Sequence, residues 1–438
     1  SILTNIQSVC LQAMTTRLPS TTVLLLLLVS GKAFTVPYVS KSRVVSSVVR
    51  VRSMVEKKSK TASLPSPSTA VLDPPKKKQL GLLTFDLDDT LYPIAPVIEE
   101  ANVAFVNAMK NFGFEGINAS DIDETCKQIR QEADADAVYL THTQVREKAI
   151  RRKMEQIVYE RKLKETAYDW GTQVSDLANL VEKNVRKWAH AAVSDSIVSA
   201  VLTAWEMERH HAAERNLYPE VVDILKQLKK DHPDVIIGAV TDGKANPMFM
   251  MFTLAPYFDF CMSWEDDQGE RSQFFQELSS VEGDAQLTWI YKAAYDKYLE
   301  LASAAKGMSA AKDKTGNAGV EDLVWVHVGD DLFYDVGGSS SCGAKTVLVK
   351  LAKKYGQTAG GRFDDLTKEL PAWSTSTKKE LEKRRVLNEA ARDQVDQEIE
   401  FLTLLPDAID KILSQREEEE SVEENEKAEE QQDTDSWA

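Results

Sequence analysis

The 438-residue chain has no excess of positive charge: 53 Lys and Arg stand against 69 Asp and Glu, a formal net charge of −16. That balance argues against a general nucleic-acid binder. Cysteine is scarce, and Cys10, Cys126, Cys261 and Cys342 form no Cys-x-x-Cys pair, which argues against a structural zinc site and a disulfide framework. The histidines (His142, His190, His210, His211, His232 and His327) lack metal-ligand spacing. No apolar run exceeds the seven residues Val23–Val29, too short to cross a bilayer. What is present, 43% hydrophobic and 28% charged residues, is ordinary for a folded protein and rules out wholesale disorder.

The two ends differ from the body. Arg17, the apolar run Val23–Val29 and the small residues Ser30, Gly31 and Ala33 read as a signal-peptide-like segment over 1–34, with Met14 a candidate start. A basic, Ser-rich stretch follows over 35–80, nearly free of acids and closed by Pro74, Pro75 and Lys76-Lys77-Lys78. The pairing resembles the bipartite presequences of algae with complex plastids, which implies a plastid stroma, with a plain secretory route as the alternative and no membrane for the mature form. At the other end, 415–438 carries eleven acids after Arg416; such a run repels itself and reads as a disordered tail whose protein partner is unknown. Upstream of it, 356–414 reads as a helical extension that packs rather than reacts.

Three short apolar runs in the body end in polar, acid-bearing turns. Leu82-Leu83-Thr84-Phe85 stops at Asp86-Leu87-Asp88-Asp89-Thr90, Val235–Val240 stops at Thr241-Asp242-Gly243, and Leu323–Val328 stops at Gly329-Asp330-Asp331. Thr346–Val349 reads as a fourth strand. Such runs suit strands buried on both faces of a parallel sheet. A helix beginning at Pro219 shows the i, i+3, i+4, i+7 pattern of Val221, Ile224, Leu225 and Leu228. The expected fold is therefore α/β, doubly wound and mostly parallel, Rossmann-like, with ligands bound at the carboxyl ends of the strands. Residues 94–216 read as almost wholly helical, either a lid or an insertion that only packs on the sheet. Most tryptophans, among them Trp188, Trp205 and Trp289, read as packing.

The acids suggest a chemistry. One carboxylate, Asp86, can attack phosphorus while a neighbour, Asp88, gives a proton to the leaving oxygen and then takes one from water. Asp330 from another strand completes an oxygen-only donor set that suits Mg²⁺. Thr241 offers a hydroxyl, and Gly243 lets backbone N–H groups approach phosphate oxygens.

These residues resemble the motifs of the haloacid dehalogenase-like (HAD) superfamily: Asp86-x-Asp88-x-Thr90 the first, Thr241-Asp242-Gly243 the second, Gly329-Asp330-x-x-x-x-Asp335 the fourth. The resemblance covers roughly residues 80–350. It implies a core of 81–93 and 217–355, a helical C1-type cap over 94–216, and an aspartyl-phosphate mechanism on a small phosphorylated metabolite. By residue it implies Asp86 as nucleophile, Asp88 as general acid/base, Thr241 on the phosphate, Thr90, Asp242 and Gly243 beside the substrate, Asp86, Asp88, Asp330 and Asp331 around Mg²⁺, and Asp335 behind them. True dehalogenases lack the second acid, so Asp88 favours the phosphoryl side. The tracts around Asp86 and Asp330 look similar to pyrimidine 5′-nucleotidase-like members and to phosphatases of FMN and its riboflavin precursor.

Two departures stand out. Asp242 takes the place of a usual Asn, and no Lys-Pro pair precedes the helix near Ile290-Tyr291 to serve as the third motif. Lys292, Lys297 and Arg271 are the candidates for that cation, Lys292 first among them. The missing lysine, with the helical extension and acidic tail, keeps open a HAD-fold binding protein of a plastid assembly with weak or no catalysis; a phosphomutase, which would need its phospho-enzyme protected from water, is a further alternative.

Overall fold

The computed structural model describes residues 79–135, 140–265, 285–305, 323–358 and, apart from positions 372, 375 and 377, 370–414. The signal-like run, the basic stretch up to residue 78, Arg271 and the acidic tail lie outside the described residues. No helix among the described residues is long and apolar enough to cross a membrane.

Six strands form one sheet: β1 (Gln79–Phe85), β2 (Ile236–Thr241), β3 (Phe260–Ser263), β4 (Leu323–Gly329), β5 (Lys345–Val349) and β6 (Gln397–Ile399). Their order is β3-β2-β1-β4-β5-β6, and every adjacent pair is parallel. The chain thus winds outward from β1 in both directions, and β1 ends at the crevice where the winding reverses, the usual ligand position of such sheets. Phe85 pairs with Ala239 on one side and Val328 on the other, so the turns that follow β1, β2 and β4 emerge side by side.

Alternation along the strands explains why both faces are dry. Leu83, Phe85, Ile237, Ala239, Val326 and Val328 face one layer, where helix α6 (Val221–Asp231) adds Val221, Leu225 and Leu228 and a helix over 405–414 adds Ile409 and Ile412. Leu82, Val240 and Trp325 face the other, where helix α7 (Ala285–Ala305) adds Trp289, Ile290, Tyr291, Ala294 and Tyr298. The four strands expected from the sequence are present, and the architecture is the expected doubly wound α/β sheet. Strands β3 and β6 are additional; each is short, and β6 sits in the stretch expected to be a helical extension.

Between β1 and α6 run five helices: α1 (Ile94–Asn111), α2 (Ala119–Ala135), α3 (His142–Asp169), α4 (Asn179–Ala192) and α5 (Asp195–Arg215). They own a separate core in which Ile98, Ala101, Phe105 and Met109 of α1 repeat at helical spacing and meet Val198, Val201 and Trp205 of α5. Trp205 Nε1 donates to Asn102 Oδ1 at 3.0 Å, a buried bond that fixes α5 against α1. A capping box between Thr141 and Gln144 starts α3. Helix α8 (Lys378–Ala391) precedes β6 and packs beside the turn after β4.

Candidate active site

The turn after β1 is held by Asp89, the residue between the two expected catalytic acids and Thr90. Its φ of 58° is the one positive value at a non-glycine among the described residues. Its carboxylate repays the strain: Oδ1 accepts from Ile94 N at 2.9 Å, capping α1, and Oδ2 accepts from Thr358 N at 3.0 Å and Thr358 Oγ1 at 2.6 Å. The chain therefore reverses sharply, and Asp86 and Asp88 both face one cavity of about 190 Å³.

At the floor of that cavity, carboxylate oxygens of Asp86, Asp330 and Asp335 lie within 4.8 Å of one another. Asp86 is pushed well above the usual carboxylate range, first by burial and then by repulsion from Asp335, Asp330 and Asp88. Asp335 is raised by burial too, against the pull of His327 and Tyr291. Its Oδ1 accepts from the Tyr291 hydroxyl at 3.2 Å and lies 3.5 Å from His327 Nε2; its Oδ2 accepts from Asp331 N at 2.9 Å. Gly329 makes room for it, because a Cβ there would stand 2.2 Å from Asp335 Cγ.

Several expected roles change in place. Asp335, expected behind the metal ligands, belongs to the tight cluster. Asp331, expected among the ligands, is spent elsewhere: Oδ1 caps the turn Leu332–Gly338 by accepting from Phe333 N and Tyr334 N, both at 2.9 Å, and Oδ2 pairs with Arg384. Asp88 stands outside the cluster; its Oδ2 accepts from Arg209 Nη2 at 2.5 Å, Oδ1 is buried, and the Tyr92 hydroxyl beside the carboxylate favours its charged form. Burial raises its pKa and Arg209 opposes the rise. Thr90, expected to touch substrate, is fully buried beneath the acids and donates toward Asp330 Oδ1 (3.2 Å) and Asp86 Oδ2 (3.4 Å). Thr241, Asp242 and Gly243 do line the cavity, with Gly243 N donating to Thr241 Oγ1 at 3.3 Å.

Lys292 is not at the site. It projects from the exposed side of α7 near Cys342, away from the cavity, and Lys297 pairs with Glu300 on the surface. The reason is helical phase: Tyr291, one residue earlier, is the position that turns inward to the acids. The cations that do line the cavity are Arg146 of α3, Arg209 of α5, Lys244 after β2 and Arg384 of α8. Sequence reading missed the three arginines. Each sits on a helix among many charged neighbours, where nothing in the pattern separates it from a solvated face; the long stretch expected only to pack thus brings Trp373, Ser374 and Arg384 to the wall. Trp205 and Trp289 are buried as expected, whereas Trp188 is half-exposed.

No family model matches the chain, and no curated protein matches it in sequence. Among solved structures, a 2-haloacid dehalogenase from Pseudomonas syringae pv. tomato DC3000 is similar at 19% identity over 76% of this chain and 99% of that one, with a TM-score of 0.36. A magnesium-bound HAD-hydrolase, YfnB of Bacillus subtilis, is similar at 13% identity over 62% and 89%, TM-score 0.23. A predicted phosphoglycolate phosphatase from Haemophilus somnus 129pt is similar at 14% identity over 64% and 88%, TM-score 0.28. Asp86, Thr241 and Asp330 thus stand at the ends of three neighbouring parallel strands, with a helical insertion directly after the first.

Proposed function

We propose that the protein is a phosphatase that hydrolyses a small phosphate monoester through an aspartyl phosphate on Asp86. The observation that carries the reading is the pair Asp86 and Asp88 lining one cavity at the end of β1. Asp86 attacks phosphorus and the bond to the leaving oxygen breaks. Asp88, whose pKa burial raises against the pull of Arg209 and Tyr92, gives a proton to that oxygen. It then takes a proton from the water that attacks phosphorus, which releases phosphate and restores Asp86. Displacing a halide needs no such proton, and this favours phosphoryl over dehalogenase chemistry.

The oxygen-only cluster of Asp86, Asp330 and Asp335 fits a hard divalent cation such as Mg²⁺. When bound, the ion neutralises the carboxylates and the incoming phosphate. Thr90 orients Asp86 and Asp330 from below, and Thr241 and the backbone at Gly243 are placed to donate to phosphoryl oxygens. A cavity of about 190 Å³ is below the ~300 Å³ at which drug-sized sites begin, and favours a small ester over a nucleotide or flavin.

The second reading, a HAD-fold binding protein, draws on the position of Lys292 outside the cavity. The test is phosphate release by the full chain, with Mg²⁺ or chelator, over a panel of small phosphate esters, beside Asp86→Asn. Turnover lost in the variant and in chelator supports the phosphatase; equal background from both proteins overturns it in favour of binding.

A further inference from the structure

The sheet side of the cavity is acidic and the helical side is not. Arg146 and Arg209 stand there with one carboxylate partner between them. Arg146 lies flat on the ring of Trp205, its guanidinium carbon 3.7 Å from the centroid, and among the described residues it makes no hydrogen bond or ion pair. The acids near it, Glu265 and Asp123, favour its charge without bonding to it: both oxygens of Glu265 accept from Thr143, and Asp123 Oδ1 accepts from Asn102. The Arg209 side chain is 5% exposed; Nη2 holds Asp88, and Nη1 is buried with no partner. A buried guanidinium N–H left without an acceptor destabilises the protein unless a ligand supplies one.

We propose that this helical wall is a second anion subsite, so that the substrate carries, beside its phosphoryl group, a carboxylate or a second phosphate that accepts from Arg146 and from Nη1 of Arg209. The placement of the first phosphoryl group rests on the phosphatase reading; the subsite does not. A planar guanidinium stacked on an indole is already ordered, so little freedom is lost when an anion binds it in the plane of the fork. Arg146 and Arg209 are then the specificity-determining residues, and the aromatic wall of Trp205 sets the distance between the two anions.

The experiment compares matched esters on the full chain with Mg²⁺. Phosphoglycolate is paired with 2-hydroxyethyl phosphate for the carboxylate arm; propane-1,3-diol bisphosphate is paired with its monophosphate for the phosphate arm. In wild type the dianchored member of at least one pair is expected to have a kcat/KM about ten-fold higher, and Arg146→Gln, checked by thermal melting to be folded, is expected to bring that ratio near one. The arm that shows the preference identifies the second anion. Equal rates within both pairs, or a preference that survives in Arg146→Gln, overturns the proposal. Should no ester turn over, calorimetry of 3-phosphonopropionate against propylphosphonate decides it: tighter binding of the carboxylate, lost in Arg146→Gln, upholds the subsite while the phosphatase reading fails, and equal binding overturns the subsite.

Discussion

Arg209 Nη2 lies 2.5 Å from Asp88 Oδ2, and this ion pair joins the last helix of the insertion to the turn that carries the acids. Burial raises the Asp88 pKa and the guanidinium opposes it. Removing the cation in Arg209→Met therefore raises the pKa further. If Asp88 is the proton donor, the alkaline limb of kcat/KM for a phosphate monoester of an uncharged alcohol moves to higher pH in the variant, with a lower maximum. A pH–rate profile checks this. A loss of rate equal at every pH would mean that Arg209 only holds the helices in place.

Gly329 and Asp335 make a steric prediction. A Cβ at Gly329 would meet Asp335 Cγ and Oδ2 at 2.2 Å, whereas one at Gly243 would meet nothing closer than Arg209 Nη2 at 3.8 Å. Gly329→Ala is expected to cost about 1–3 kcal/mol of stability, as overpacked sites do, and to blunt the thermal shift produced by Mg²⁺, because the displaced carboxylate belongs to the cluster. Gly243→Ala is expected to change stability by about 0.5 kcal/mol or less. Urea unfolding with and without Mg²⁺ measures both.

The parts of this molecule that were legible in the sequence are those governed by short-range rules. The buried strands ending at Asp86, Thr241 and Asp330 announced themselves because a strand covered on both faces must be apolar throughout and must stop where the chain turns to solvent. The helices over 94–216 were legible from their period. What was not legible depends on long-range packing. Tyr291 and Lys292 are adjacent, and only the rotation of α7 against the sheet decides that the phenol and not the ammonium meets Asp335. Asp331 and Asp335 look alike in sequence, and only the tight turn over Leu332–Gly338 decides which is spent as a cap. Arg384 comes from 54 residues beyond Asp330, on a helix that packs against that same turn.

Arg384 carries the next prediction. Its guanidinium lies 4.5 Å over the Tyr334 ring and pairs with Asp331, and burial pushes its pKa down to about 10, with Asp242 and Asp330 resisting. It thus braces the cap of the turn that presents Asp335 and adds positive charge to an acidic wall. Arg384→Gln is expected to lower kcat/KM by about 10–100-fold, the usual range for groups that orient metal-site carboxylates. Arg384→Lys is expected to restore only part, because an ammonium neither stacks on Tyr334 nor forks to a carboxylate. The metal affinity, read from the dependence of rate on Mg²⁺, should weaken in parallel; an unchanged rate in Arg384→Gln would leave the arginine with a packing role alone.

The raised carboxylates also set a pH dependence of stability for the metal-free protein. Asp86 and Asp335 hold their protons more tightly in the fold than in the unfolded chain, because burial and mutual repulsion disfavour their charge. Between the usual carboxylate pKa and the raised values the folded state therefore binds more protons than the unfolded one, and stability falls as pH rises through that window. His210 acts in the opposite sense: burial and Arg209 lower its pKa, so its contribution grows as pH rises through its unfolded value. The wild-type curve mixes the two, and the difference between wild type and Asp86→Asn isolates the acids. In chelator, the urea midpoint of Asp86→Asn is expected to exceed that of wild type by a margin that widens as pH rises above the usual carboxylate range. Saturating Mg²⁺ should raise the wild-type midpoint more than that of the variant, since the ion relieves a repulsion that the amide has already reduced. A gap constant with pH would remove the cluster as the source of the strain.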